Sequence, residues 1–338
     1  MKILVILGPT ASGKTRLAVQ LAQDCTGEIL SADSRQVYRG LDLGTGKDLE
    51  EYGPIPHHLI DVAEPGEAFD LFQFQQRCLA LLPEIHARGA LPILAGGTGL
   101  YLEALIRGYR LAPAKPDPTL RAQLHTLSNA QLTARLLALK PSQHNTTDLE
   151  TRERTIRAIE IAQATLDQPH APDDSPPVSH PDPDHDFLIL GMRWERAILR
   201  QRIADRLRQR LETGLIEEVA DLLNRGIAPA ILEALGLEYR FVTRFVRGEL
   251  NQVELFDQLV QAIRQFAKRQ ETWFRRMERH GIRIHWLEAA KDPLQEARTI
   301  MGRNWPEFSR FSSPPTPPPA ETGGSAHPDR TAPDRPPR

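Results

Sequence analysis

Gly8-Pro9-Thr10-Ala11-Ser12-Gly13-Lys14-Thr15 is the stretch on which the fold turns. It follows the apolar run Ile3-Leu4-Val5-Ile6-Leu7 and precedes a segment with Leu17 and Leu21 on one helical face. A short β-branched run that stops at a glycine turn reads as a fully buried strand. Strand, turn and helix together supply the context in which G-x-x-x-x-G-K-[ST] is a phosphate-binding loop. The glycines let backbone N–H groups turn inward around phosphate oxygens. The helix N-terminus adds its partial positive charge. Lys14 is placed to neutralise the terminal phosphates, and the Thr15 hydroxyl to hold Mg²⁺.

Further strands are expected near Glu28–Ala32, ending at Asp33, and at Leu91-Pro92-Ile93-Leu94-Ala95, ending in Gly96-Gly97-Thr98-Gly99. Helical patterns such as 72–86 lie between them, and strands alternating with helices imply a parallel sheet covered on both faces. From Pro116 to Leu166 the pattern is helical and polar, with no strand signal. Residues 167–186 are rich in Pro, Asp, His and Ser and read as a flexible loop. A returning strand is expected at Phe187–Met192, then amphipathic helices around 195–224 and 251–280. The tail at 312–338 is Pro-rich without apolar periodicity and reads as disordered. The fold class is therefore α/β: a P-loop-type parallel sheet flanked by helices. Its core is expected from two pieces, 1–115 and 187–290, with a helical insertion at 116–166 between them.

The 338 residues carry a formal net charge of −2, with 40% hydrophobic and 25% charged residues. The molecule is not a polycation, so any nucleic-acid site must be a local basic surface. The two cysteines, Cys25 and Cys78, form neither a CxxC pair nor a disulfide framework, which fits a reducing cytosol. The N-terminal apolar run is too short for a signal peptide, and no segment reads as membrane-spanning. His57 and His58 are adjacent and lack partner ligands at metal-site spacing.

In an open parallel sheet, ligands sit outside the carboxyl ends of the strands. Asp33 and Thr98 both fall there. Asp33 can take a proton from an incoming nucleophile, or it can simply cap a helix. The glycines around Thr98 point to a close approach of backbone to ligand. The phosphate loop alone indicates a polyphosphate, not ATP: a nucleotide-hydrolysing core would place an Asp after the Leu91–Ala95 strand, where Gly96 stands. A small-molecule or nucleoside kinase using ATP, and a non-catalytic RNA-binding protein, both stay open at this point.

Four motifs in order narrow the choice. Gly8–Thr15, then Asp33-Ser34-Arg35-Gln36-Val37-Tyr38-Arg39-Gly40-Leu41-Asp42-Leu43-Gly44-Thr45-Gly46-Lys47, then His57-His58-Leu59-Ile60-Asp61, then Gly96–Tyr101 resemble the tRNA dimethylallyltransferase family. Gly214–Val219 and Lys268-Arg269-Gln270-Glu271-Thr272-Trp273-Phe274-Arg275 extend the likeness, which runs from Lys2 to about Leu287.

The resemblance implies transfer of a dimethylallyl group from dimethylallyl diphosphate to N6 of the adenosine 3′ of the anticodon, releasing diphosphate. It implies that Gly8 to Thr15 hold the diphosphate, with Arg202 beside it and Mg²⁺ as cofactor. Asp33 matches the family's general base and Thr98 its hydroxyl near the target base. Asp33, Ser34, Arg35, Gln36, Thr98, Arg121, Arg154 and Arg157 match its tRNA contacts. The partners implied are the anticodon stem-loop and the diphosphate donor, with a monomeric protein. Two positions depart from the family pattern: Glu153 stands where Gln is usual, and Leu237 where Tyr is common.

Arg202, Arg206 and Arg210 recur at helical spacing opposite an apolar stripe of Leu199, Ile203, Leu207 and Leu211. Alone, such a basic stripe reads as a solvated face. Beside a diphosphate groove it becomes a channel wall, as do Lys268, Arg269, Arg275 and Arg276. Trp273 and Phe274 share a helix with Ile263, Phe266 and Met277 and read as core.

Overall fold

The computed structural model describes residues 1–109, 111, 113, 114, 117–140, 149, 151–166 and 184–311. The expected loop up to 183 and the tail from Ser312 lie outside the described residues.

Strand β1 (Lys2–Leu7) is buried along almost its whole length. Its side chains divide by the period of two: Ile3, Val5 and Leu7 enter one apolar layer, Leu4 and Ile6 the other. A strand buried on both faces belongs at the centre of a parallel sheet. β1 sits there, between β4 (Leu91–Gly96) and β5 (Asp186–Arg193). The sheet is completed by β2 (Gly27–Ala32), the two-residue β3 (His57–His58) and β6 (His285–Glu288). Its order is β3-β2-β4-β1-β5-β6, all parallel. The α/β class expected from the sequence is the one observed.

Helix α1 (Lys14–Cys25) leaves the phosphate loop and covers one face with α12 (Pro293–Asn304). Helices α2 (Leu71–Ala87) and α3 (Gly99–Ile106) and the 28-residue α11 (Gln252–Arg279) cover the other. Capping boxes start α2 at Asp70/Gln73 and α11 at Asn251/Glu254. Beyond the carboxyl edge of the sheet, α7 (Arg196–Glu212), α8 (Leu215–Asn224), α9 (Pro229–Leu235) and α10 (Leu237–Val246) pack with α11 around a third apolar cluster. That cluster also takes in Val37, Tyr38 and Leu41.

The single helix expected over 195–224 is two. Gly214 adopts φ 112°, a left-handed conformation that ends one helix and starts the next at a new angle. Helices α4 (Pro118–His125), α5 (Asn129–Leu139) and α6 (Arg152–Leu166) pack together on Leu124, Leu132, Leu136, Ile156 and Ile159, a small cluster of their own.

Candidate active site

A cavity of about 1570 Å³ opens at the carboxyl edge of the sheet. Thr10 to Thr15, Asp33 to Gln36, Gly97 to Leu100, Arg202, Arg206 and Arg210 all line it. The phosphate loop is held in an unusual backbone path: Ala11 and Gly13 have φ 61° and 87°. Gly8 lies behind the loop, where a Cβ would come 2.6 Å from the Ser12 Oγ. At Gly13 the same atom would meet nothing nearer than an Arg202 Nη2 at 3.9 Å, so the cradle there is open. Two carbonyls of the loop are bound by side chains from α7 and from the turn between β5 and α7. Trp194 Nε1 donates to the Ser12 carbonyl at 2.9 Å, and Arg202 Nε to the Ala11 carbonyl at 2.9 Å. The Arg202 guanidinium also stacks on Trp194, 4.4 Å from the ring centre. Ser12 Oγ is buried without a hydrogen-bond partner among the described residues.

Burial pushes the Lys14 ammonium down to about 8, against the pull of Asp33 and Asp48 and with Arg206 and Arg210 adding to the lowering. An anion brought beside it would favour its charged form. The carboxylates nearby are unequal. Burial works against the Asp48 anion, but Arg206 and Arg210 outweigh it and keep its pKa low. Asp48 forms ion pairs with both, the one to Arg210 at 3.4 Å. Glu238, also on the cavity wall, is raised by burial despite the opposing charge of Arg210.

Asp33 ends the strand turn after β2. Its Oδ1 accepts the Arg35 N–H at 2.9 Å in a turn with no helix after it, so Asp33 does not cap a helix. Among the described residues no hydrogen bond is made to the other oxygen. Thr98 begins α3 without capping it; its Oγ1 accepts the Ser34 N–H at 3.1 Å instead. Gly96 permits this approach, because a Cβ there would fall 2.2 Å from the Ala32 carbonyl oxygen. The loop after Asp33 is fastened from below. Lys47, fully buried, donates to the Tyr38 carbonyl at 2.8 Å and pairs with Asp42 at 2.6 Å and with Asp61. Glu218 accepts three backbone N–H groups, of Asp42, Leu43 and Gly44, and the Tyr239 hydroxyl at 2.6 Å.

The site residues expected from sequence divide here. Lys14, Thr15, Asp33, Ser34, Arg35, Thr98, Arg154, Arg157 and Arg202 border the cavity; Gly8, Pro9 and Arg121 do not. Arg121 is held on Glu160 by two hydrogen bonds of 2.7 and 3.0 Å. Arg157 pairs with Asp70 at 2.8 Å and Glu160 at 3.3 Å. The Gln36 side chain is spent inside its own loop, between the Ser31 hydroxyl at 2.7 Å and the Gly46 carbonyl at 3.0 Å.

Arg202, Arg206 and Arg210 line the cavity, in line with the channel-wall reading of that stripe and not with a solvated face. The core reading of Trp273 and Phe274 holds fully for one of the two. Phe274 and Met277 are core, whereas Trp273 is half-buried on the cavity wall against Gly99, and Phe266 is exposed there. Gln270, Lys47, Asp48, Glu218 and Glu238 were assigned no role from sequence. Lys47, flanked by Asp42 and Asp48 in a glycine-rich loop, was the one signal available in the sequence.

Among the described residues no group of three or more His, Cys, Asp or Glu could hold a metal ion, and His58 is paired with Glu28 at 2.7 Å. No described helix is long and apolar enough to cross a membrane.

A family model described as IPP transferase matches residues 36–277, and one described as isopentenyl transferase matches residues 1–52. A tRNA dimethylallyltransferase 2 of Syntrophotalea carbinolica is 57% identical over 87% of this chain and 96% of its own. A tRNA dimethylallyltransferase 1 of Geotalea uraniireducens is 53% identical over 89% and 97%. The crystal structure of a tRNA isopentenylpyrophosphate transferase from Bacillus halodurans superposes with a TM-score of 0.65 at 33% identity, covering 92% of this chain and 98% of that one. A eukaryotic dimethylallyltransferase acting on tRNA has the same fold, with a TM-score of 0.70 at 24% identity over 94% and 81% of the two chains.

Proposed function

We infer the reaction from one premise: this chain belongs to the IPP transferase family. It is a tRNA-prenylating enzyme, and the finer assignment is dimethylallyl transfer from dimethylallyl diphosphate to N6 of the adenosine 3′ of the anticodon. The observation that carries it is a shared cavity: the phosphate loop with Lys14 and the carboxylate of Asp33 border the same space, close enough for Asp33 to raise the Lys14 pKa.

The donor's diphosphate occupies the cradle of residues 10–15. As the bond between C1 and the diphosphate oxygen breaks, charge grows on that oxygen, and backbone N–H groups, Lys14 and Arg202 stabilise it where it develops. The adenine amine attacks C1 and forms the new N–C bond. Its proton passes to Asp33, which also aims the amine. Thr98 stands beside Asp33 at the neighbouring strand end. A cavity of about 1570 Å³ exceeds the roughly 300–1,000 Å³ of a small-ligand site. It leaves room for a base extruded from its stack to meet the donor. Arg154 and Arg157 on α6 line the same cavity, Arg157 already paired with Asp70 and Glu160, and both are assigned to the tRNA backbone.

Mg²⁺ fits the donor set: Thr15 offers a hard oxygen at the cavity wall, and this ion is usually held by one or two protein groups plus substrate phosphates. Bound there, it would neutralise diphosphate oxygens. The two buried free thiols, Cys25 and Cys78, suit a reducing cytosol, where the protein acts as a monomer.

The test is mass spectrometry of nucleosides digested from tRNA after incubation with dimethylallyl diphosphate and Mg²⁺. Isopentenyladenosine is the expected product. Its absence, with ADP formed from ATP in a parallel reaction, would replace the prenyltransferase by a kinase.

A further inference from the structure

Gln270 lies on α11 in the cavity wall, 6% exposed. Its side chain joins two loops far apart in the chain. Oε1 accepts the N–H of Thr10 in the phosphate loop at 2.9 Å, and Nε2 donates to the carbonyl of Gly97 at 2.9 Å. Gly97 makes room for this contact, since a Cβ there would stand 2.3 Å from Nε2. From Gly97 the connection continues without a gap. Thr98 donates its N–H to Ala32 at 3.2 Å and accepts that of Ser34, the residue after Asp33.

We propose that Gln270 is a positioning residue for prenyl transfer, setting the separation between the diphosphate cradle and the acceptor-side carboxylate Asp33. The proposal rests on the reaction inferred above. The two partners of Gln270 are peptide groups of fixed polarity, one a donor and one an acceptor. The side-chain tip must therefore accept at one end and donate at the other. Ionised Glu has the same shape but two acceptors, and it leaves the Gly97 carbonyl facing a carboxylate. Met fills the volume and offers neither group. A protonated Glu restores both bonds.

Gln270 touches neither the breaking bond nor the proton in transit; it acts through the loops. Transfer needs the reacting atoms about 3–3.5 Å apart, and a misplacement of about 1 Å costs on the order of 100-fold in rate. The sheet holds the two loops only at their strand ends. Gln270 is the cross-member between them on the cavity side.

The experiment measures kcat and the KM values for dimethylallyl diphosphate and tRNA for wild type, Gln270→Glu and Gln270→Met. It spans about pH 5.5 to 8.5, across the range in which a buried carboxyl titrates, with melting temperatures alongside. At the alkaline end both variants are expected to lose on the order of 100-fold in kcat; donor KM is expected to stay within about threefold of wild type in the neutral Gln270→Met, which adds no charge beside the diphosphate. As the pH falls and the introduced carboxyl takes up a proton, the Gln270→Glu kcat recovers relative to wild type. Gln270→Met stays low at every pH.

Wild-type turnover with an unchanged Gln270→Glu kcat overturns the positioning role alone. So does a loss carried wholly by donor KM. A loss that follows collapsed melting temperatures in both variants, with no recovery in acid, makes Gln270 a structural brace and also overturns it. No product from the wild type overturns the reaction first, and this role with it.

Discussion

The side-chain oxygen of Thr98 accepts the backbone N–H of Ser34 at 3.1 Å. The exit of β4 is thereby stapled to the exit of β2, one residue beyond Asp33. Thr98 occupies the N-cap position of α3 yet spends its hydroxyl on the neighbouring loop. A side-chain cap is ordinarily worth about 1 kcal/mol to its helix. At this point the fold places acceptor-side geometry ahead of local helix stability.

Asp33 should therefore matter to the chemical step far more than to substrate binding. Asp33→Asn keeps the size of the side chain and, through its carbonyl oxygen, the bond to the Arg35 N–H, but cannot take a proton. We expect kcat to fall by about 10²–10⁴-fold while the tRNA Kd stays within about threefold. Single-turnover kinetics and filter binding measure the two separately. Equal losses in both would make Asp33 a binding residue and not a base.

Donor affinity should weaken in alkali. With Lys14 held near 8 in the free protein, a diphosphate favours the charged form and must supply a proton's worth of binding above that pH. Affinity is expected to fall up to about tenfold per pH unit above pH 8, with proton uptake visible by calorimetry in two buffers of different ionisation enthalpy. Ligand-free stability moves the other way. A Lys whose folded pKa is depressed contributes stability that is complete above its unfolded pKa of 10.5 and is lost as pH falls through about 8. Flat donor affinity from pH 7 to pH 9.5 would remove Lys14 from the diphosphate site.

What could be read from the sequence was what is local. The phosphate loop lies within eight consecutive residues, and β1, β2, β4 and β5 each declare themselves by an apolar run that ends in a turn. Asp33 and Thr98 follow from the rule that ligands sit at strand ends. Gln270 and Glu218 escaped because their partners stand 260 and about 175 residues away in the chain. Nothing in a single sequence brings Gln270 to Thr10. Trp273 was read as core because its helix spacing is apolar. Its neighbour Gly99, lacking a side chain, lets the ring lie at the cavity wall. Arg121 and Arg157 were assigned to RNA by the family resemblance; that Glu160, on the same helix as Arg157, holds both is a tertiary pairing the sequence does not display.

Lys47 should be a stability residue whose loss disturbs the acceptor loop. It is fully buried and serves Tyr38, Asp42 and Asp61 together. Lys47→Met preserves the bulk and leaves two carboxylates without their cation. Breaking a buried pair costs about 3–5 kcal/mol. Asp42 and Asp61 are 54% and 36% exposed and partly solvate themselves, so the lower end, about 3 kcal/mol, is expected. Urea unfolding measures it. A change below about 0.5 kcal/mol, the range of an ordinary surface substitution, would show that the loop is fixed by its apolar contacts alone.

Asp48 should restrain the basic wall and hold Lys14 charged. It neutralises Arg206 and Arg210, and its own charge raises the Lys14 pKa. Asp48→Asn keeps the shape and removes one negative charge, with two consequences of opposite kind. Two guanidiniums become available to an anion, so inorganic pyrophosphate is expected to bind about 3–10-fold more tightly at neutral pH and low salt, a gain that shrinks as added salt screens the cavity mouth. With Asp48 neutral, Lys14 loses one of the two charges that support its proton, so the alkaline loss of pyrophosphate affinity begins below the wild-type inflection near 8. Titration calorimetry of wild type and Asp48→Asn from pH 6.5 to about 9.5, the span in which a depressed Lys titrates, reads both effects. Tighter binding with an unmoved inflection would mean that Asp48 acts on the arginines but not on Lys14. An unmoved affinity would mean that Arg206 and Arg210 do not reach the anion at all.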